Sequence, residues 1–273
     1  MAGIFLCSIA LAIGLLGLLI WSRLAWRIAT DVPNVRSLHS APIPRAGGWG
    51  LVPAVLLSVL IFGAGHWLLL GLAIVLFIVS YVDDRKGLPV RVRLAIHAAA
   101  AAALLAWGPF ALPLGLALPA AIGLVWIANL FNFMDGADGL AGGMAVFTFA
   151  VYAAVAASSG IPLLALWSMA FAGASAGFLL FNFNPARLFL GDAGSVTVGF
   201  FAGAFGIWGW AANAWPFWFP FLVSAPFFLD ASVRSRGASC AVKNSGKRIA
   251  SITISASSAP AGAIVALRCV SIS

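Results

Sequence analysis

Long apolar stretches, almost free of charge, alternate along this chain with short segments rich in Asp, Asn, Arg, Gly and Pro. About 20 consecutive apolar residues cross the hydrocarbon core of a bilayer as one helix. Nine such runs can be read, at roughly 3–22, 47–65, 67–82, 94–111, 113–131, 141–158, 161–181, 196–213 and 215–229. None shows the period-two alternation of a barrel strand. Backbone N–H and C=O groups in lipid need partners within their own segment, so helices are expected throughout. The pattern predicts an all-α polytopic membrane protein with about nine transmembrane helices.

Composition agrees. The 273 residues are 63% hydrophobic and 8% charged, with a mean hydropathy of +1.08, against roughly 25% charged in soluble domains. The net charge of +8 does not point to nucleic acid, because the basic residues are not clustered on a soluble face. They fall in alternate connections. Arg23, Arg27, Arg36 and Arg45 follow the first run, Arg85, Lys86, Arg91 and Arg93 the third, and Arg187 the seventh, while the intervening connections hold no Lys or Arg. By the positive-inside rule the basic connections are cytoplasmic and the N-terminus lies outside. The first run has no basic segment before it and no small-residue cleavage site after it, so it is expected to remain as a span. All seven acidic residues are Asp, and all fall on the cytoplasmic side of this topology. A carboxylate beside lipid is costly and marks a functional site by default. Cys7, Cys240 and Cys269 have no metal or disulfide spacing, and the tryptophans largely mark span ends as interfacial anchors.

Four polar segments on that side carry candidate chemistry. Residues 31–48 read DVPNVRSLHSAPIPRAGG. Arg45 and the glycine pair can hold phosphate oxygens through a guanidinium fork or backbone N–H groups, or the arginines only fix topology; His39 lies in the same loop. Asp83 and Asp84 are adjacent at the end of the third run. Neighbouring carboxylates require a metal, a basic partner or a shared proton, and a solvated helix end balanced by Arg85 and Lys86 is the plainer alternative. Residues 129–143, NLFNFMDGADGLAGG, set Asn132, Asp135 and Asp138 at i, i+3 and i+6, which converge if the segment continues helically. Without a Glu to close it, this is not a calcium loop. Residues 181–195, FNFNPARLFLGDAGS, gather Asn182, Arg187, Phe189 and Asp192. Phe189 is either a stacking platform for a flat base or an interfacial aromatic. Together the four segments form a site rich in carboxylate, Asn and Arg, suited to Mg²⁺ and diphosphate chemistry. His66 and His97 are expected to have no catalytic duty.

These four motifs, in this order, resemble the polyprenyl-phosphate N-acetylhexosamine-1-phosphate transferases of glycosyltransferase family 4. That bacterial family includes the phospho-MurNAc-pentapeptide translocase and the enzymes that initiate O-antigen and enterobacterial common antigen lipids. The likeness covers about residues 31–230. It implies ten spans in the intact family, an inner-membrane location with a cytoplasmic active site, and transfer of a HexNAc-1-phosphate from a UDP-sugar to undecaprenyl phosphate, releasing UMP and starting a lipid-linked surface polysaccharide. Carried over by motif, Asp83 deprotonates or orients the lipid phosphate with Asp84 beside it, and Asp192 binds Mg²⁺, with Mn²⁺ an alternative ion. Asn132, Asp135 and Asp138 line the nucleotide-sugar and metal site, Asn132 as a further metal ligand. Asn182 assists there, Phe189 packs on uracil and Arg45 lies near the phosphates. The PRAGG segment looks more like the O-antigen branch than the peptidoglycan branch. That implies UDP-N-acetylglucosamine or a 6-deoxy relative such as the N-acetylfucosamine or N-acetylquinovosamine derivative. A homodimer is compatible with the resemblance.

Residues 1–230 are thus expected to form the membrane transferase domain. Residues 231–273 contain no aromatic residue and are rich in Ser, Ala and Lys/Arg, whereas the family carries a histidine loop resembling HxxHxYQRL and a last span. A reading-frame shift near 232–239 accounts for this. Residues 242–259, back-translated with permitted codons and read from the third base, give EKLWEAHREHYYQRLVRA. The alternative is a natural, divergent tail too poor in core-forming residues to fold. A frameshifted tail predicts impaired activity. Two rivals from other classes are a transporter, which would hold its ionisable residues near the bilayer midplane, and a catalytically dead membrane scaffold.

Overall fold

Helix forms along each of the first eight apolar runs, in a computed structural model that describes residues 1–33 and 41–226. The order is α1 (Ala2–Trp21), α2 (Ala25–Ile28), β1 (Thr30–Asp31), β2 (Ile43–Pro44), α3 (Gly48–Ile61), α4 (Trp67–Lys86), α5 (Val90–Trp107), α6 (Leu114–Met134), α7 (Leu140–Ser158), α8 (Pro162–Asn182), α9 (Gly191–Ala211) and α10 (Phe219–Val223). The strands are a two-residue antiparallel ribbon, Thr30 opposite Pro44 and Asp31 opposite Ile43, a small departure from an all-α fold.

Six helices, α1 and α4 to α8, are long and apolar enough to cross a membrane. Helix α3 has 14 residues, about 21 Å at 1.5 Å per residue, short of the roughly 30 Å core. Helix α9 has 21 residues but mixes its aromatics with Gly, Ser and Thr, and nearly all of it is buried. It packs against α6, α4, α3, α7 and α8, so other helices rather than lipid surround it. The ninth run does not form a continuous span within the described residues. Its described part, 215–226, holds α10, a turn at Ser224 and helix again at 225–226, with Pro216 before α10 and Pro220 in its first turn; proline supplies no N–H and ends or starts helices.

Three helices reach further into polar sequence than their hydropathy indicates. Helix α4 continues to Lys86, α5 begins at Val90, and α9 begins at Gly191. Asp83, Asp84, Arg91, Arg93 and Asp192 therefore sit on helices rather than in loops. The two apolar flanks dictate the helix, and the polar terminal turns follow it.

The centre is aromatic. Phe149 of α7 stacks on Phe171 of α8 with ring centroids 4.7 Å apart. Trp167 of α8 stacks on Phe201 of α9 at 5.8 Å, and Phe205 meets Phe201 edge to face at 5.5 Å. Arg36, His39, Asp230, Cys240 and Cys269, together with the 231–273 tail and its inferred frame shift, lie outside the described residues.

Candidate active site

The site is built where successive helices reverse direction. Helix α4 ends with Gly87 in the left-handed region at φ 65°, its N–H donating to the Asp83 carbonyl. A residue with a Cβ is strained at that angle, so glycine is what lets the chain turn here. Pro89 then opens α5. The reversal brings Arg93 back opposite Asp83. Its Nη1 donates to Asp83 Oδ2 at 2.8 Å, while the Leu88 N–H donates to Asp83 Oδ1 at 2.6 Å.

Two segments distant in sequence are zipped together beside that turn. The Phe189 N–H donates to the Pro44 carbonyl at 3.0 Å, and the Gly47 and Gly48 N–H groups donate to the Phe189 and Leu190 carbonyls at 2.8 and 2.9 Å. The close approach continues between α3 and α9, where a Cβ on Gly194 would stand 2.8 Å from the Gly48 Cα. Only glycine permits two backbones to meet like that. The result is that Arg45, just before α3, is held over the first turn of α9. Its Nη2 donates to Asp192 Oδ1, and its Nη1 lies 3.5 Å from Asp84 Oδ1. The Ala193 N–H, at the same helix start, donates to Asp84 Oδ2 at 3.2 Å. A helix N-terminus favours nearby negative charge, which helps explain three carboxylates gathered here.

Five charged groups therefore follow one another in alternating sign: Asp84, Arg45, Asp192, Arg93, Asp83. Arg93 Nη1 is 3.7 Å from Asp192 Oδ2, which closes the series. Burial works against the Arg45 charge, yet Asp192, Asp84, Asp135 and Asp31 outweigh it and hold its pKa above the usual guanidinium value. The pair Asp83 and Asp84 is balanced by Arg93 and Arg45, not by the adjacent Arg85 and Lys86. Arg85 turns away, donating to the Tyr81 hydroxyl at 3.1 Å and the Arg27 carbonyl at 3.2 Å.

The third motif does not converge. Helix α6 ends at Met134, and Asp135 has left helical geometry at ψ 69°, so Asn132, Asp135 and Asp138 point three ways. Asn132 accepts from the Ser195 hydroxyl at 3.1 Å and lines a cleft with Ser80, Asp83, Arg93, His97, Asn129 and Asp192. Asp135 lies beneath the α9 start, accepting from the Leu190 and Gly191 N–H groups at 3.0 and 2.7 Å. Burial pushes its pKa up to about 7, against the pull of those N–H groups and Arg45 and with a contribution from Asp192. Asp138 accepts from the Ala186 N–H at 3.1 Å and faces a separate groove of about 540 Å³, with Trp26, Pro42, Pro44, Pro185 and Arg187 on its walls.

Asn182 and Phe189 are placed as structural parts. The Asn182 side chain donates to the Leu188 carbonyl at 3.0 Å and accepts from the Gly139 N–H at 3.1 Å, fully buried. It ties the third motif to the fourth. Phe189 is also fully buried, so its ring offers no open face for a base in this structure.

By sequence, Arg93 has only a part in topology and His97 is expected to have no catalytic duty. Both lie on α5, one turn apart, and both line the cleft. The signal that places Arg93 was present: a Gly and a Pro two residues apart after an Asp pair mark a helical hairpin, and Arg93 then falls opposite Asp83.

Among the described residues, no three Asp, His or Cys side chains close round one point as a metal cage. Mg²⁺ does not need one, since it is commonly held by one or two carboxylates with waters and substrate phosphates. Asp192 and Asp83, both within reach of a single arginine nitrogen, are a donor pair of that kind, and among the described residues the buried Asp84 Oδ1 accepts no hydrogen bond, with Arg45 Nη1 3.5 Å away. The residues present fit a hard divalent cation.

Residues 66–210 match the model of glycosyl transferase family 4. That range runs from the start of α4 to the end of α9 and contains every acidic residue of the cleft. The chain is 31% identical over 214 residues to a probable undecaprenyl-phosphate N-acetylglucosaminyl 1-phosphate transferase of Bacillus subtilis, covering 70% of this chain and 60% of that protein. It is 32% identical over 231 residues to the phospho-N-acetylmuramoyl-pentapeptide-transferase of Rippkaea orientalis, covering 74% and 62%. It is 30% identical over 196 residues to the undecaprenyl-phosphate alpha-N-acetylglucosaminyl 1-phosphate transferase of Escherichia coli, covering 62% and 52%. The alignments thus span about 60% or less of these relatives' length. The matched region is the charged cleft together with the helices that build it: the chain is a multi-pass inner-membrane protein and belongs to glycosyl transferase family 4.

Proposed function

We propose that this chain transfers a HexNAc-1-phosphate from a UDP-sugar to undecaprenyl phosphate at the cytoplasmic membrane face, releasing UMP. Overall, a phosphate oxygen of the acceptor forms a new bond to the sugar-bearing phosphorus, and the bridging P–O bond of the donor breaks. One observation carries this reading: Asp83 and Asp192, from different helices, lie 2.8 and 3.7 Å from the same Arg93 nitrogen. Acid and base from four segments are thereby held at helix ends, where a lipid-anchored phosphate and a soluble nucleotide can meet. A transporter would be expected to keep such groups near the midplane.

In this proposal Asp83 orients the acceptor phosphate or takes its proton, and Asp84 supports Arg45 beside it. Asp192, with Asn132, would hold Mg²⁺ or Mn²⁺, which offsets the negative charge of two phosphorylated substrates when bound. Arg45 stabilises the charge that develops on the diphosphate. Asp135 positions the start of α9, and Asn182 ties residues 129–143 to residues 181–195. Asp138 and Arg187, on the 540 Å³ groove, face the nucleotide-sugar. The donor in this reading is UDP-N-acetylglucosamine or a 6-deoxy relative, and the product begins a lipid-linked surface polysaccharide such as O-antigen. The 231–273 sequence, which departs from the family's histidine motif, lowers the rate in this reading.

Membranes carrying the chain, incubated with a panel of UDP-sugars and undecaprenyl phosphate, test the proposal. Release of UMP together with a sugar-diphosphate lipid is the expected result. Asp83→Asn should abolish both, and a chain whose product is unaffected by that change is not the enzyme proposed. Restoring the reading frame should raise UMP release over that of the present chain, and equal rates would remove the impairment.

A further inference from the structure

Arg93 differs from the other four members of the charged series in how firmly it is held. Asp83 and Asp192 are almost wholly buried, and Arg45 is fixed by the zipped segment that precedes α3. The Arg93 side chain is 30% exposed, much as Arg45 is at 29%, but no such backbone zip flanks it, and it reaches over both acids from α5. Among the described residues its polar contacts are Asp83 Oδ2 and Asp192 Oδ2. Asp83 keeps a second anchor in the Leu88 N–H, and Asp192 keeps Arg45, so both carboxylates hold their places if the Arg93 guanidinium moves.

With Arg93 in place the cleft has a volume of about 10 Å³, room for about one water. A divalent cation with its remaining waters does not fit beside the guanidinium. Yet the lining is prepared for a polar occupant: His97 is 4% exposed with a ring nitrogen that has no hydrogen-bond partner among the described residues, and Asn129 and Asn132 face the same space. A long, partly exposed side chain is the component that can give way.

We propose that Arg93 is a cation placeholder, a positioning residue whose guanidinium neutralises Asp83 and Asp192 until a divalent cation displaces it. Two adjacent buried carboxylates repel each other when unpaired, and an uncompensated buried charge is strongly destabilising. The guanidinium holds the pair together in the apo state. Because it occupies the same oxygens, it also competes with the incoming ion and weakens the resting affinity for metal. Released from Asp192, it remains at the cleft mouth, a planar donor suited to phosphate oxygens. That last role rests on the proposed transferase reading; the competition does not.

The test is a Mn²⁺ titration of the purified full chain in lipid nanodiscs, without nucleotide, following free Mn²⁺ by electron paramagnetic resonance. Arg93→Gln removes the competitor and should tighten Mn²⁺ binding about five- to tenfold. Arg93→Lys, which keeps the charge but cannot bridge two acids as a fork, should tighten it two- to threefold. Asp192→Asn should abolish the site in either background. A second measurement needs no variant: in the unaltered chain, Mn²⁺ should raise phenylglyoxal labelling of Arg93 several-fold, read by peptide mass spectrometry. Unchanged or weaker Mn²⁺ affinity in Arg93→Gln, or labelling of Arg93 that Mn²⁺ fails to increase, overturns the placeholder. A chain that turns over no UDP-sugar yet passes both tests would leave the placeholder standing and remove the transferase reading.

Discussion

Helix α9 has two ends that are held by opposite means. At its start, Gly191, Asp192, Ala193 and Ser195 contact groups from other segments: Asp135, the two arginines, Asp84 and Asn132 respectively. Further along, Phe201 and Phe205 pack into a cluster with Phe149, Trp167 and Phe171. The polar end is a set of single, non-interchangeable contacts, and the aromatic end is redundant. In lipid no water is excluded when two helices meet, so the aromatic end is held by packing alone. The polar end draws instead on charge attraction in a low dielectric. The first should tolerate substitution with a cost in stability, and the second should lose function while the fold survives.

The sharpest separation is expected at Asp192. Asp192→Asn removes the carboxylate shared by Arg45 and Arg93, but Arg45 keeps Asp84 and Arg93 keeps Asp83, so neither cation is orphaned. UMP release should fall at least about 1,000-fold while the thermal midpoint moves by only a few degrees. A collapse in thermal stability comparable to the loss of activity would mean that Asp192 is structural.

The next largest effect on turnover is expected where no charge is altered. Gly194→Ala places a methyl 2.8 Å from the Gly48 Cα, so α3 and α9 must separate and carry Arg45 off Asp192. A misplacement of about 1 Å costs on the order of 100-fold in rate. Gly14→Ala, at a position with open space around the added carbon, serves as the control and should leave the rate unchanged. Phe171→Ala acts on the other end of the comparison. It should lower unfolding stability by about 3 kcal/mol through a cavity among four aromatic neighbours, with turnover per folded molecule within threefold of the unaltered chain. A rate loss matching that of Gly194→Ala would show the two ends to be mechanically coupled.

The same contrast governs what could be read from the sequence. The aromatic end and the helices carrying it are legible because a long apolar run in lipid has one stable backbone form. The ninth run is described only as far as residue 226, and Pro216 and Pro220 bracket the start of its first short helix. The motifs were legible as a set, since Asp83, Asp84, Asp192, Arg45 and Asn132 do assemble at one end of the bundle. Their pairing was not legible, because it depends on tertiary placement. Arg93 comes back to Asp83 only through the Gly87 turn, and Arg45 reaches Asp192 only through backbone bonds between segments about 145 residues apart. The i, i+3, i+6 spacing of Asn132, Asp135 and Asp138 promised convergence that the end of α6 at Met134 removes. Phe189 reads as a stacking platform or an interfacial aromatic, whereas the backbone bonds to Pro44 and Gly47 draw it into the interior, where it is fully buried.

The smallest expected effect tests which arginines belong to the site. Sequence proximity favours Arg85 as the counter-ion of the aspartate pair, being adjacent to Asp84. The geometry assigns that duty to Arg93 and Arg45, with Arg85 directed to the Tyr81 hydroxyl and the Arg27 carbonyl on an exposed surface. Exposed contacts of this kind contribute about 0–1 kcal/mol. Arg85→Gln should therefore change UMP release by less than about threefold and leave the Mn²⁺ affinity of the chain unaltered. If Arg85→Gln were instead to match the loss seen for Asp192→Asn, the alternating series would be the wrong partition of charge. The polar end of α9 would then be a diffuse basic surface rather than a set of fixed pairs.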